Sequence, residues 1–373
     1  MNIPDLQLIN KINKLTVSNK SFAIYRLPWT ETPLFVMQKD DNTDTYSSLC
    51  ELNDKKGFII SPFQATEKHP IIIIRPDIIA NGWSEIEHKL NSIEFAEIND
   101  ISSENDEYKE ESELKEKYTS VFNKFIKPLK NNEFQKLVLS RKAKYVLEEN
   151  FSPTEAFIKA CNSYPRMMIS LTHTPISGTW IGSTPEIIIS GKGNNWNTVS
   201  LAGTMQMNGA DMPENWSEKN KEEQALVSEY IIDILKDISN SVTANGPYTV
   251  QAGPLAHLKT DFKFTLDDNS KLGSVIDALY PTPAICGLPK HGSYNFIIQN
   301  EGYDRGYYSG IIGWLNPEGE TNLYVNLRCA NITVNSATYY AGGGILPLSE
   351  ASSEWDETQH KINTMRRCLT NIL

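Results

Sequence analysis

Two carboxylates and a lysine near the C-terminus are the first groups whose spacing suggests chemistry. Glu354, Glu357 and Lys361 recur at intervals of three and four in ASSEWDETQHKINTM. On a helix these positions share one face. Ile362, Met365 and Cys368 continue that face as an apolar stripe. Carboxylates in line with an apolar stripe point inward, and an inward carboxylate needs a cation. Just upstream, the glycine run at 342–344 lets backbone approach closely, and a helix start offers free N–H groups beside it. Ser353 with Asp356 reads as a capping box that begins the helix. The stretch reads as a place where a metal ion and an anionic small molecule meet.

Other residues carry chemistry elsewhere. In FQKLVLSRKAKYVL, strand alternation puts Lys136, Val138 and Ser140 on one side and Leu137, Leu139 and Arg141 on the other. A lysine in such a strand either snorkels at an edge or lies desolvated, where it can act as a base. Glu186 stands between Pro185 and three isoleucines. It is either a strand-end glutamate facing water or, in apolar surroundings, a general acid near neutrality. Glu223 projects onto the apolar face of a helix over 217–238, with Leu226, Val227, Tyr230, Ile231 and Ile234, whereas Glu218, Glu222 and Glu229 fall off it. SLAGTMQMNG reads as a strand end and a small-residue turn. There Gly203 and Thr204 could offer an N–H and a hydroxyl to an anion. Arg328 lies inside the strand NLYVNLRCANITV, where it needs a carboxylate partner, internal or from a ligand. His257, in strand-like YTVQAGPLAHLKTDFKF, is most simply structural.

The elements that must position these groups follow from pattern. SFAIYRLP, GFIISPF and PIIIIRP read as strands of an N-terminal scaffold, residues 1–125. Residues 103–125 form a charged, amphipathic helix. A continuous catalytic region, 126–373, then runs through a helix near Pro153 to Ser163, the strands MMISLTH and GTWIGSTPEIIIS, and the proline-shaped loop LYPTPAICGLPK. The fold expected is α+β, a single large unit of layered antiparallel sheets flanked by helices. A formal charge of −11 argues against a nucleic-acid partner. Five dispersed cysteines without a C-x-x-C pair fit reduced thiols in a cytoplasmic protein. The start MNIPDLQLINKINK lacks a signal-peptide core, and the longest aliphatic run, at 71–74, is too short to span a membrane.

Taken together and in order, KLVLSR, GSTPE, LAGT, EKNKEEQALV, AHLKT, PTPAICGLPK, YDRGYYSG, NLRCA, AGGGI and SEWDETQHK resemble the chorismate-utilising enzymes, strongly over 130–373. The resemblance implies that Lys136 activates water and Glu186 is the general acid. It implies that Glu223, Glu354 and Glu357 bind Mg²⁺ and that Arg328 holds the enolpyruvyl carboxylate. Gly203, Thr204, His257, Ala284, Tyr340, Gly343, Gly344 and Lys361 would surround the substrate. Three positions depart from the family pattern: Met205 stands where arginine is usual, Gln224 replaces the histidine of E-H, and Tyr280 precedes P-T-P-A. A lysine base favours water addition over amination, and Ala202 cannot be the covalent nucleophile of aminodeoxychorismate synthases. The expected activity is therefore that of an isochorismate synthase, on routes to menaquinone, siderophores or salicylate. It would act as a monomer without an amidotransferase. Salicylate synthase and a non-catalytic chorismate-binding homologue are the alternatives.

Overall fold

The computed structural model describes residues 3–94, 110–207, 212–252 and 255–370. The first part of the helix expected at 103–125 lies outside the described residues; the described part belongs to Glu111–Lys130.

Two nine-stranded antiparallel sheets pack face to face, with helices on both outer sides. The first runs Gly287–Leu288, Lys136–Val146, Ser336–Ile345, Cys329–Ile332, Gly178–Thr184, Met168–Thr174, Phe22–Arg26, Leu34–Met37, Ile78–Asn81. The second runs Val242–Ala252, Leu255–Thr265, Asn195–Gln206, Ile187–Lys192, Glu320–Val325, Ile311–Leu315, Gly57–Ser61, Ile71–Ile74, Asp44–Tyr46. The α+β expectation holds.

Strand alternation builds the layers. Along Phe22–Arg26, Ala23 and Tyr25 pack against Phe58, Ile74, Ile312 and Tyr324 of the opposite sheet. Phe22 and Ile24 face outward and join the cluster under Leu6–Leu15, Pro153–Ser163 and Ala351–Leu369. Burial on both faces explains uninterrupted runs such as the four isoleucines of Ile71–Ile74, all buried. N-terminal strands are woven into both sheets: Phe22–Arg26 pairs with Met168–Thr174, and Gly57–Ser61 with Ile311–Leu315.

The helix Glu218–Ile238 forms as its periodicity requires, capped by the Ser217 side chain, and buries Glu223 while Glu218, Glu222 and Glu229 stay exposed. Other local expectations are corrected. The strand-like run 248–264 is a hairpin of two strands, Val242–Ala252 and Leu255–Thr265. SLAGTMQMNG contains no turn at Gly203; the strand Asn195–Gln206 continues past it, with a register shift between Ala202 and Thr204. Gly203 takes φ +71°, so it is the bulge residue. The C-terminal helix begins at Ala351 after Glu350, without a side-chain cap, so Ser353 lies inside it and the capping box does not form. Arg328 is not within a strand; it occupies the link between Glu320–Val325 and Cys329–Ile332, at φ +46°.

That last correction locates the site. The chain changes sheets twice at one corner, between Gly178–Thr184 and Ile187–Lys192 and again between Glu320–Val325 and Cys329–Ile332. The two crossings are bonded to each other: the Val325 N–H donates to the Glu186 carbonyl (2.9 Å) and the Ser183 N–H to the Arg328 carbonyl (3.2 Å). Glu186 and Arg328 are therefore delivered to the seam between the sheets.

Candidate active site

A cavity opens at this corner. Glu186, Gly203, Thr204, Glu223, His257, Ala284, Arg328, Tyr340, Gly343, Gly344, Glu357 and Lys361 line it. Of the residues assigned to the site from the sequence, Lys136 and Glu354 stand behind its wall, and each lies against a residue that lines it, Glu223 and Gly343 respectively.

Lys136 is fully buried, and its Nζ lies 2.9 Å from Glu223 Oε1. Burial works against the Glu223 carboxylate, but Lys136, then Lys219 and Lys361, outweigh it and hold its pKa below the usual value. The strand Ser336–Ile345 passes over this ion pair because residue 344 is glycine. A Cβ there would collide with the Glu223 carboxylate and sit 2.8 Å from Lys136 Cε. One residue earlier, a Cβ on Gly343 would stand 3.1 Å from Glu354 Oε2 and 3.3 Å from Glu357 Oε1, so these two carboxylates converge over Gly343. Glu354 pairs with Lys219, and Glu357 with Lys361 at 2.6 Å; Lys361 also donates to the Gly342 carbonyl at 2.8 Å.

Glu186 is 4% exposed. Desolvation pushes its pKa up to about 7, against smaller opposing effects of Thr282, which donates to its Oε1 at 3.1 Å, and of Lys136, Lys361 and Arg328. A half-protonated carboxyl in a cleft is equipped for acid–base work near neutrality.

His257 bridges the bulge to Arg328. Burial, reinforced by Arg328 and Lys361, holds its pKa well below the ordinary imidazole value, so the ring is neutral. Its Nδ1 lies 3.0 Å from the Gly203 carbonyl, which can only accept, so Nδ1 carries the proton. Nε2 then accepts from Arg328 Nη2 at 2.6 Å. Gly203 itself differs from expectation: its N–H donates to Glu223 Oε2 at 3.2 Å, so in this structure that donor serves a protein carboxylate.

The three departures from the family pattern each find a local role. Gln224 accepts from the Ala202 N–H at 3.0 Å and donates to Ser200 Oγ at 2.8 Å and Thr260 Oγ1 at 3.1 Å, holding the bulge to the helix. Met205 packs on a small apolar cluster of Met207, Trp216, Ala256 and Leu258. The Tyr280 hydroxyl donates to the Ser309 carbonyl at 2.9 Å.

Sequence reasoning missed Glu301 and Arg305. This fully buried pair ties Val138 and Ile285 carbonyls to Arg305 and the Ser140 N–H to Glu301, bracing the Lys136 strand from behind. Their four-residue spacing in EGYDR was the available signal. Lys219 and Ser309 were also missed.

The donor set suits Mg²⁺ in chemistry. Glu223, Glu354 and Glu357 supply hard carboxylate oxygens, and Mg²⁺ normally completes its shell with water and substrate. Burial, and then the charge of neighbouring Glu357, raises the Glu354 pKa, a repulsion that a cation would relieve. They do not form a closed cage: among the described residues no three His, Cys, Asp or Glu groups gather as one.

Known proteins resemble this chain in sequence and in fold. A family model described as chorismate binding enzyme matches residues 10–370. Isochorismate synthase EntC of Escherichia coli K12 is 29% identical over 203 residues, 52% of this chain and 52% of that protein. The salicylate biosynthesis isochorismate synthase of Pseudomonas aeruginosa is 32% identical over 202 residues, 52% of this chain and 42% of that protein. The chain thus spans about half the length of the curated relatives it matches. The solved structure of MenF, the menaquinone-specific isochorismate synthase of E. coli, superposes with a TM-score of 0.77 at 18% identity, covering 99% of this chain and 92% of that one. Anthranilate synthase component I of Streptococcus pneumoniae superposes at 0.64 and 18% identity, covering 92% and 89%. These likenesses establish the fold.

Proposed function

The chain belongs to the chorismate-binding enzyme family, and on that premise we propose that it is a magnesium-dependent isochorismate synthase. The observation that carries the reading is the pairing of a fully buried amine with a neutral-range acid at one cavity. Lys136 lies behind its wall, and Glu186, with its pKa near 7, is close enough to feel the Lys136 charge. Water addition at one ring carbon with loss of a hydroxyl at another needs one base and one acid.

Lys136, neutral at the moment of attack, takes a proton from water as the water oxygen bonds to C2 of chorismate. The ring double bonds shift, the C4–O bond breaks, and Glu186 gives its proton to the departing hydroxyl. One hydroxyl replaces another, so the reaction is reversible. Arg328, held by neutral His257, binds the enolpyruvyl carboxylate, and Lys361, paired with Glu357, lines the same cavity. Glu223, Glu354 and Glu357 would hold Mg²⁺, which supplies positive charge for the ring carboxylate.

The test is incubation of the protein with chorismate and Mg²⁺, followed by separation of products. Isochorismate without pyruvate is the expected outcome. Salicylate with pyruvate would identify the lyase-active alternative, and recovery of chorismate alone would overturn the reading.

A further inference from the structure

Ser309, in the YDRGYYSG segment, is 1% exposed and lines the same cavity as Glu186 and Arg328. Two features set it apart. Its backbone sits at φ +61°, the left-handed region that side chains other than glycine rarely adopt. Its hydroxyl is buried without a hydrogen-bond partner among the described residues. Its contact with the Tyr308 phenol acts to lower a pKa that burial raises overall, but falls short of hydrogen-bond geometry.

The backbone has no freedom to relax. The Ser309 N–H donates to the Asn326 carbonyl at 2.9 Å, and its carbonyl accepts from the Tyr280 hydroxyl at 2.9 Å. The next residue, Gly310, is pressed against Ser61 backbone so closely that a Cβ would collide with the Ser61 carbonyl. Both features cost stability, and a glycine at 309 would remove both. Strain and an unsatisfied polar atom coinciding on a cavity wall point to a ligand.

We propose that Ser309 is a substrate-binding residue whose hydroxyl, turned into the cavity by its fixed backbone, hydrogen-bonds an oxygen of a hydroxylated cyclohexadiene carboxylate. A hydroxyl can both donate and accept, so one residue serves substrate and product as a ring hydroxyl moves between carbons. This assignment rests on the isochorismate synthase reading.

Ser309→Ala and Ser309→Gly test it, with three measurements on each: kcat and KM with chorismate and Mg²⁺, Kd for chorismate by equilibrium fluorescence, and Tm. The expected result is a loss of about 10-fold in kcat/KM, the worth of one hydrogen bond, seen mainly in KM and matched in Kd, in both variants, with Tm no lower than wild type. If Ser309 is merely tolerated, Tm rises while KM and Kd stay put, and the assignment is overturned. A fall in Tm accompanying the loss of activity would mean a folding role and would overturn it too. Failure of the wild-type protein to bind or convert chorismate removes the underlying reading, and this assignment with it. Active wild type with variants indistinguishable from it removes the assignment alone.

Discussion

Glu186 owes its acidity to its position. Desolvation raises its pKa from the ordinary carboxyl range to about 7, so it is protonated below that value and loses its proton above it. Turnover of chorismate should fall as pH rises through about 7, and Glu186→Gln should remove this limb of the pH profile with a loss of ~10²–10⁴ in kcat. A pH profile unchanged in the variant would exclude Glu186 as the acid. Lys136→Ala should cost turnover on the same scale, ~10²–10⁴, while chorismate affinity changes little; near-normal turnover would rule out the base. The chemical types of both residues could be read from sequence, because an ionisable side chain inside an apolar strand is conspicuous. Ser309 and Gln224 could not. A serine or glutamine carries no such contrast, and their importance comes from a backbone angle and from partners distant in the chain.

Among the elements, the glycine-bearing strand Ser336–Ile345 is the one whose register the site depends on. It pairs Gly344 with Val138 and Gly343 with Leu139, which sets bare backbone against the carboxylates. Gly344→Ala would drive a methyl group into Glu223 and Lys136. A displacement of about 1 Å can cost ~10²-fold in rate, so turnover should collapse in a variant whose circular dichroism is unchanged; activity within twofold of wild type would refute the close packing. Behind the neighbouring strand Lys136–Val146, Arg305→Met would strand the buried Glu301 carboxylate. Urea denaturation should show a loss of ~3–5 kcal/mol, and a loss below ~1 kcal/mol would mean that the pair bears no structural role. Helices such as Glu218–Ile238 were legible because a 3.6-residue period is written locally. The bulge at Gly203, the hairpin at 242–265 and the break at Arg328 were not, since register and sheet partner are settled by residues far along the chain.

At the scale of the whole molecule, the three glutamates come from two helices that pack on different sheets, Glu218–Ile238 on the second and Ala351–Leu369 on the first. A cation bound between them would bind the folded chain alone and raise its melting temperature. At a hundredfold excess of Mg²⁺ over its Kd the gain is about 2.7 kcal/mol. Thermal melts with Mg²⁺ and with chelator should therefore separate for wild type and coincide for the double variant Glu354→Gln/Glu357→Gln; no separation in wild type would count against the metal site. The sequence by itself determined which chemical groups exist, which face of each helix or strand they occupy, and the order of motifs that identifies the family. Those properties follow from composition and local period. Only the tertiary structure decided that Lys136, Glu186, Glu223 and Arg328 share one corner, that Gly203 serves Glu223, and that Ser309 is held strained at the cavity wall. The reason is physical: strand crossings and ladder register bring together residues far apart along the chain, and no local pattern encodes a partner.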